Sequence, residues 1–126
     1  MMTPPEFDRL VEESLATIPA RFRARLKNLA FIVEPEPPHP NLLGLYTGRP
    51  LPFRSVMESF AMPDRITIYQ GPHERLAQSP EHLRHMVEDT VWHEVAHYFG
   101  MNEAQVRAWE AKRRAGLQKA ARRPRP

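Results

Sequence analysis

The sequence predicts an α+β fold in one domain, with a small mixed or antiparallel sheet of about three strands packed on a long helix and flanking helices. Two kinds of segment support this prediction. In some stretches apolar residues recur every three or four positions, as in helices, and other short runs are bounded by proline and glycine, as strands often are. The chain has 126 residues, of which 41% are hydrophobic and 26% charged. This length and composition are typical of a soluble domain with a single modest core.

The first predicted helix covers residues 4–18. Thr3 is suited to cap this helix, because Glu6 follows three residues later in the pattern of a capping box. The apolar residues of the segment recur at helical spacing and form one stripe, which consists of Phe7, Leu10, Val11, Leu15 and Ile18. Pro19 then interrupts the pattern, so we expect the helix to end there.

Three short runs, at residues 29–33, 42–46 and 65–69, are predicted to be strands. The third run alternates, which places Ile66 and Ile68 on one face and Thr67 and Tyr69 on the other. A half-buried strand of this kind is suited to the edge of a sheet, so we expect one side of it to be free for pairing.

The longest predicted helix covers residues 80–99. Ser79-Pro80-Glu81 is typical of a helix start, since serine caps the helix, proline is tolerated at the first position and an acid suits the first turn. Gly100 provides a C-terminal break, and Asn102 can cap a last helix. The sequence therefore predicts two helices in the C-terminal half, separated by a short turn.

Several classes of protein are excluded by composition. The chain contains no cysteine, so any metal must be bound by His, Asp or Glu, and disulfides are absent. No run approaches the roughly 20 apolar residues that span a bilayer. The first residues lack a basic segment followed by an apolar one, so they do not indicate a signal peptide, and we expect the protein to be cytoplasmic.

The high isoelectric point of 9.7 arises near the C terminus. Residues 112–126 contain seven basic and no acidic residues, whereas residues 1–111 contain the remaining 11 basic residues against 15 acidic ones. We interpret residues 112–126 as a basic, partly disordered tail that follows a domain at residues 1–111. Nucleic-acid binding is not expected from a tail alone, although weak attachment to RNA or to an acidic partner stays open.

Residues 93–97 have a spacing that suits a metal site. On a helix, His93 and His97 lie about 40° apart around the axis and about 6 Å apart along it, so both imidazoles can reach one ion. Glu94 points about 100° away from His93, close enough to contact a water that the metal activates. This H-E-x-x-H pattern predicts two metal ligands and one general base.

A catalytic zinc site needs a third protein ligand, and Glu103 is the candidate. It follows His93 by ten residues and lies beyond Gly100, where the chain can reverse toward the end of the helix. An amphipathic helix that happens to carry a His-Glu-His surface is the alternative. We disfavour it because apolar residues surround the polar trio, and a charged group in a buried helix needs a partner such as a metal.

Residues 93–103 are similar to the extended motif H-E-x-x-H-x-x-G-x-x-(H/D/E) of the zincin metallopeptidases. Gly44-Leu45-Tyr46 and residues 63–69 also resemble the small bacterial family of minimal zincins, which are classed as possible zinc metallopeptidases. The resemblance extends over roughly residues 1–110. The sequence differs from that of the metzincins in two ways: Glu103 occupies the position of their third histidine, and no methionine follows to form their Met-turn.

This resemblance implies a zincin-like fold, a metallopeptidase domain at residues 1–111 and Zn²⁺ as the cofactor. It also implies a role for each of four residues, with His93, His97 and Glu103 as metal ligands and Glu94 as the general base. We expect hydrolysis of peptide bonds by a monomer that has no membrane association, with a peptide or protein as the substrate.

Three further residues are candidates for the site. Asp89 lies one turn before His93 and can accept its second imidazole N–H, although a solvated carboxylate is the simpler alternative. Thr67 and Tyr69 are candidate substrate-binding residues, because a free strand edge beside the helix can pair with an extended peptide. Packing is the alternative for Tyr69.

Two other functions stay open at this point. The first is a metal-dependent RNA hydrolase, which the basic tail would suit, although such proteins use a third histidine and have no glutamate directly after the first. The second is a non-catalytic binding module in which the metal only stabilises a small core.

Overall fold

The computed structural model describes residues 2–48 and 63–122, the last four of these by their backbone alone. Five helices and three strands are described in chain order: α1 (Pro4–Ala16), α2 (Ala20–Arg23), β1 (Leu29–Glu34), β2 (Gly44–Thr47), β3 (Asp64–Tyr69), α3 (Gln70–Leu76), α4 (Pro80–Tyr98) and α5 (Glu103–Arg122). The predicted α+β fold with a three-stranded mixed sheet is confirmed.

The strand order of the sheet is β1-β3-β2. Strand β3 pairs in parallel with β1 and antiparallel with β2. The prediction that residues 65–69 form an edge strand was therefore wrong, because this strand lies in the centre of the sheet. Alternation along a strand reports which of its faces is covered, and it carries no information about how many neighbouring strands it has.

The core lies between the sheet and the helices. Ile66 and Ile68 of β3 are fully buried in the same apolar cluster as Val87, Val91 and Val95 of α4. Full burial of an aliphatic side chain contributes roughly 1.5–3 kcal/mol, so this contact between β3 and α4 holds the sheet against the helix. Within the part of the chain that the structure describes, no helix is long and apolar enough to cross a bilayer.

The predicted helix caps of α1 and α4 are present. The Thr3 hydroxyl accepts a hydrogen bond from the Glu6 N–H, and the Glu6 carboxylate accepts one from the Thr3 N–H in return. The Ser79 hydroxyl accepts the His82 N–H at 3.0 Å. At the other end of α4, Gly100 adopts a positive φ of 68°, the left-handed conformation that favours glycine after a helix.

Helix α5 packs against α4 through a pair of tryptophans. The centroids of the Trp109 and Trp92 rings are 4.5 Å apart, and the Trp109 indole N–H donates to the Trp92 backbone carbonyl at 2.8 Å. The helical backbone continues to Arg122, so residues 112–122 of the predicted tail are described as helix. Residues 123–126 of that tail lie outside the described residues, and its partial disorder stays a prediction.

Candidate metal centre

Helix α4 brings three potential metal ligands together. One ligand atom each from His93, Glu94 and His97 lie within 4.8 Å of one another. The two imidazole rings are 4.6 Å apart between centroids, as expected for residues four positions apart on a helix. Both histidines are exposed, whereas Glu94 is buried. The group therefore presents two accessible nitrogen donors beside one sheltered carboxylate.

Glu94 lies under strand β2. Its side chain is 8% exposed, and its carboxylate receives a hydrogen bond from the Tyr46 backbone N–H. Burial raises the pKa of the Glu94 carboxyl, while the nearby His93 and the Tyr46 N–H act in the opposite direction. A carboxylate with a raised pKa holds a proton more strongly than an exposed one, which suits a general base.

Close packing between β2 and α4 depends on Gly44. A Cβ at this position would lie 2.7 Å from Cγ2 of Thr90 and 3.2 Å from Cγ of Glu94. A larger residue would therefore push β2 away from the helix. Strand β2 was not predicted to be part of the site, although glycine inside a strand is a known signal of close backbone approach.

The His97 imidazole is already oriented toward the carboxylate, with its Nδ1 3.2 Å from Oε1 of Glu94. When Nδ1 carries the proton of the neutral ring and donates a hydrogen bond to Glu94, Nε2 has a free lone pair that can bind a metal ion. Imidazole nitrogen together with carboxylate oxygen is a donor set that suits zinc. The residues present therefore fit the metal that the sequence predicts.

Glu103, the predicted third ligand, lies apart from the other three residues. It is the first residue of α5, its side chain is 97% exposed, and its carboxylate is 4.0 Å from Nη1 of Arg107. The group of potential ligands that the described residues form consists of His93, Glu94 and His97, without Glu103. Metal binding by Glu103 stays a prediction.

Asp89 and Thr67, two other predicted site residues, have their described contacts with residues outside this group. Asp89 is exposed, and its described ion pair is with Nη1 of Arg113 at 3.7 Å, on the side of α4 that faces α5. Thr67 pairs with Leu45 and Ile32 in the sheet, and its side chain points to the face opposite Ile66 and Ile68.

Tyr69 is 5% exposed, as the packing alternative predicted. Because β3 has neighbours on both sides, the reason for assigning substrate binding to Thr67 and Tyr69 no longer holds.

A buried histidine that the sequence did not indicate connects α3 to α4 close to Glu94. His73 of α3 is fully buried, and its Nδ1 donates to the Tyr69 carbonyl at 2.7 Å. Its Nε2 lies 2.9 Å from the Thr90 hydroxyl, one helical turn before Glu94. Burial lowers the pKa of His73, while the Tyr69 hydrogen bond opposes that effect. The neutral His73 ring therefore connects α3 to α4 one helical turn before Glu94.

Comparison with known proteins agrees with this geometry. The model of a family described as zincin-like metallopeptidase matches residues 26–113, a span that includes the three strands, α4 and the first half of α5. No curated protein matches the chain significantly. The matched span covers more than half of the chain and contains the His93-Glu94-Val95-Ala96-His97 segment. The chain therefore belongs to the zincin-like metallopeptidase family.

Proposed function

We propose that this protein is a zinc-dependent metallopeptidase that hydrolyses peptide bonds, with Glu94 as the general base. The observation that carries the proposal is the grouping of two exposed histidines with one buried glutamate of raised pKa. His93 and His97 would hold the metal. The family match supports peptide hydrolysis as the chemistry.

A zinc ion bound at these histidines would act as a Lewis acid, which would make a bound water more acidic and the substrate carbonyl more electrophilic. Glu94 takes a proton from the attacking water and returns it to the leaving amine. The Tyr46 N–H holds the Glu94 carboxylate in place, because a hydrogen bond to the charged form fixes its orientation. Burial under β2 keeps bulk water away from that carboxylate.

Strand β2 is the edge at which we expect the substrate to bind. It pairs with β3 on one side, and none of the strands that the structure describes pairs with its other side. The Tyr46 N–H points to Glu94, so the outer side of β2 faces the metal centre. An extended peptide added there would be held by main-chain hydrogen bonds, with little selectivity for sequence.

Glu103 is proposed as the third ligand. Metal binding by Glu103 would need a movement at the α4–α5 turn, because Glu103 lies outside the group of potential ligands and is the first residue of α5. Zinc affinity of the Glu103→Ala variant tests this, with Glu110→Ala on the same helix as the matched control. Weaker zinc binding in the first variant alone supports the assignment, and equal affinities contradict it. Asp89 as a partner of His93, a monomeric state and a cytoplasmic location stay predictions from the sequence.

The test of the proposed function is cleavage of a peptide mixture, followed by mass spectrometry. We expect cleavage by the zinc-loaded protein, loss of cleavage with a chelator and recovery when zinc is added back. The His97→Ala variant should be inactive, whereas His85→Ala, which changes another histidine of α4, should behave as wild type. Zinc binding without cleavage of any peptide would instead indicate a binding module that the metal only stabilises.

A further inference from the structure

The positive charge of the chain is concentrated in two segments that contain no acidic residue. Residues 14–33 and 111–126 together hold 11 of the 18 Lys and Arg residues and none of the 15 Asp and Glu residues. The rest of the chain holds 7 basic residues against 15 acidic ones. The two segments are therefore strongly basic, and the remainder of the protein is strongly acidic.

The structure places α2, which belongs to the first segment, beside Lys112 at the start of the second. Phe22 of α2 packs edge-on against Trp109 of α5, with their ring centroids 4.9 Å apart. Cations from both helices lie over the same Phe22 ring, with the Arg21 guanidinium 4.9 Å and the Lys112 ammonium 6.0 Å from its centroid. The Arg25 guanidinium lies 5.3 Å from the centroid of the neighbouring Phe99. We call Arg21, Arg25 and Lys112 the basic face.

The basic face is exposed, and no described residue neutralises it through an ion pair. All three side chains are solvent-exposed, and among the described residues none of them forms an ion pair. Arg113 differs, because it is buried and paired with Glu88, so it holds α5 to α4 instead of adding to this surface. Uncompensated cations grouped on one surface attract a polyanion.

Neither an apolar partner nor a membrane matches this surface. A helix that lies in a bilayer interface needs large apolar side chains on its exposed face, and a protein interface needs apolar or aromatic anchors. In the described part of the chain, the exposed large hydrophobic residues are Leu45 and Leu76, and neither lies on α2 or α5. A partner that binds through charge alone is therefore favoured.

We propose that the basic face binds duplex nucleic acid through its phosphate backbone, without reading its sequence. A single strand is disfavoured, because proteins that bind single strands stack the bases on exposed aromatic rings. A duplex carries one negative charge per about 1.7 Å of its axis. Helix α5, which has 20 residues and is about 30 Å long, carries only basic charges from Lys112 onward and extends the attraction beyond the basic face.

The sequence predicted that the excess of positive charge lies in a C-terminal tail, which alone would give only weak attachment to a nucleic acid. The structure adds α2 to the same surface, so part of the charge is fixed on the folded domain. The proposal is independent of peptide hydrolysis, because the basic face contains none of the residues of the metal centre.

The test is fluorescence anisotropy with a labelled duplex of about 20 base pairs over a series of salt concentrations. We expect log K to fall linearly with log salt, with a slope that decreases in magnitude by about 0.9 for each phosphate contact removed. The variant Arg21→Gln/Arg25→Gln/Lys112→Gln should bind more weakly, with a slope smaller by about 3. The control variant Arg9→Gln/Arg65→Gln/Arg84→Gln removes the same net charge from elsewhere and should bind as wild type.

Folding of each variant is checked by circular dichroism. In addition, Arg21→Lys/Arg25→Lys keeps the charges and should retain binding even if the ring contacts change. Equal loss of binding in the glutamine variant and its control would overturn the proposal. Tighter binding to polyglutamate, to anionic vesicles or to a single strand of equal length would also overturn it, because each outcome points to a different partner.

Discussion

Helix α4 carries two buried glutamates on two different sides, and their surroundings differ. Glu88 faces α5, where its carboxylate is 3.1 Å from Nε of Arg113, and both side chains are about nine-tenths buried. Glu94 faces β2, where its neighbours are the Tyr46 N–H and two exposed histidines. The Arg113 guanidinium balances the charge of Glu88, whereas burial raises the pKa of the Glu94 carboxyl.

These surroundings suggest different roles for the two carboxylates: Glu88 is held in an ion pair, whereas Glu94 is the one proposed to exchange protons. The guanidinium of Arg113 also donates to the His85 carbonyl at 3.0 Å, so it fixes α5 on α4. No comparable cation is described beside Glu94, which leaves that carboxylate available to a substrate water. We therefore expect these two glutamates, six positions apart on one helix, to differ in role, with Glu88 contributing to stability and Glu94 to the proposed hydrolysis.

The largest effect on stability is expected from breaking the pair at Glu88. Glu88→Gln removes the buried carboxylate beside Arg113 and leaves this largely buried guanidinium with only the exposed Asp89 and the His85 carbonyl, so we expect the free energy of unfolding to fall by about 3 kcal/mol. Glu94→Gln removes a buried carboxylate that no permanent cation balances, and should change stability much less. Urea unfolding of both variants measures the difference. Equal losses of stability would show that the two sides of α4 do not differ in this way.

A second prediction uses two glycines, one on each side of α4. Gly44→Ala places a Cβ 2.7 Å from Thr90, so β2 must shift, and we expect a loss of about 2 kcal/mol together with reduced hydrolysis. Gly116 of α5 has no atom within 4 Å of an added Cβ and lines a cavity of about 330 Å³ beside Trp92.

Because alanine is the better helix former, Gly116→Ala should gain about 0.5–1 kcal/mol and leave hydrolysis unchanged. Thermal unfolding and peptide cleavage are measured for both glycine variants. Full activity in Gly44→Ala would contradict the close contact of β2 with the metal centre.

The smallest effect is expected from His73, on the β2 side of α4. Burial lowers the pKa of this histidine below its ordinary value of 6.5, so the folded protein takes up a proton there less readily than the unfolded chain. The stability that His73 contributes is present above about pH 6.5 and is lost as pH falls below that value. Wild type should therefore lose more stability than His73→Gln between about pH 7.5 and pH 5.5.

Unfolding is measured with a chelator present, so that metal binding does not contribute to the pH dependence of either protein. His82→Gln, at an exposed position, serves as the control and should follow the wild-type pH dependence. If the His73→Gln variant shows the same pH dependence as wild type, His73 does not titrate differently in the folded state.

Local signals in the sequence were enough for α1, α4 and α5 and for the grouping of His93, Glu94 and His97, whereas α3 was not predicted. The caps at Thr3 and Ser79 depend on residues three positions away, and the spacing of His93, Glu94 and His97 is fixed by helix geometry alone. These features are set within one or two helical turns, which explains why a pattern in the sequence predicts them.

Features that depend on contacts distant in sequence could not be predicted in the same way. The central position of β3 follows from pairing with both β1 and β2, and an alternating pattern does not record how many strands are neighbours. The contact of Gly44 with Thr90 and the pair of Glu88 with Arg113 also join residues at least 25 positions apart. For Glu103, the turn after α4 decides the distance to the histidines, and spacing alone does not give that distance.

The most direct test of the central claim is to measure zinc stoichiometry and peptide turnover on the same preparation of Glu94→Gln. We predict one zinc per chain, as in wild type, with turnover reduced by about 10²–10⁴-fold, because the ligands remain and the general base is lost. Retained turnover in a protein that binds zinc would contradict the role of Glu94. Loss of zinc together with turnover would show that Glu94 serves as a ligand and not as the base.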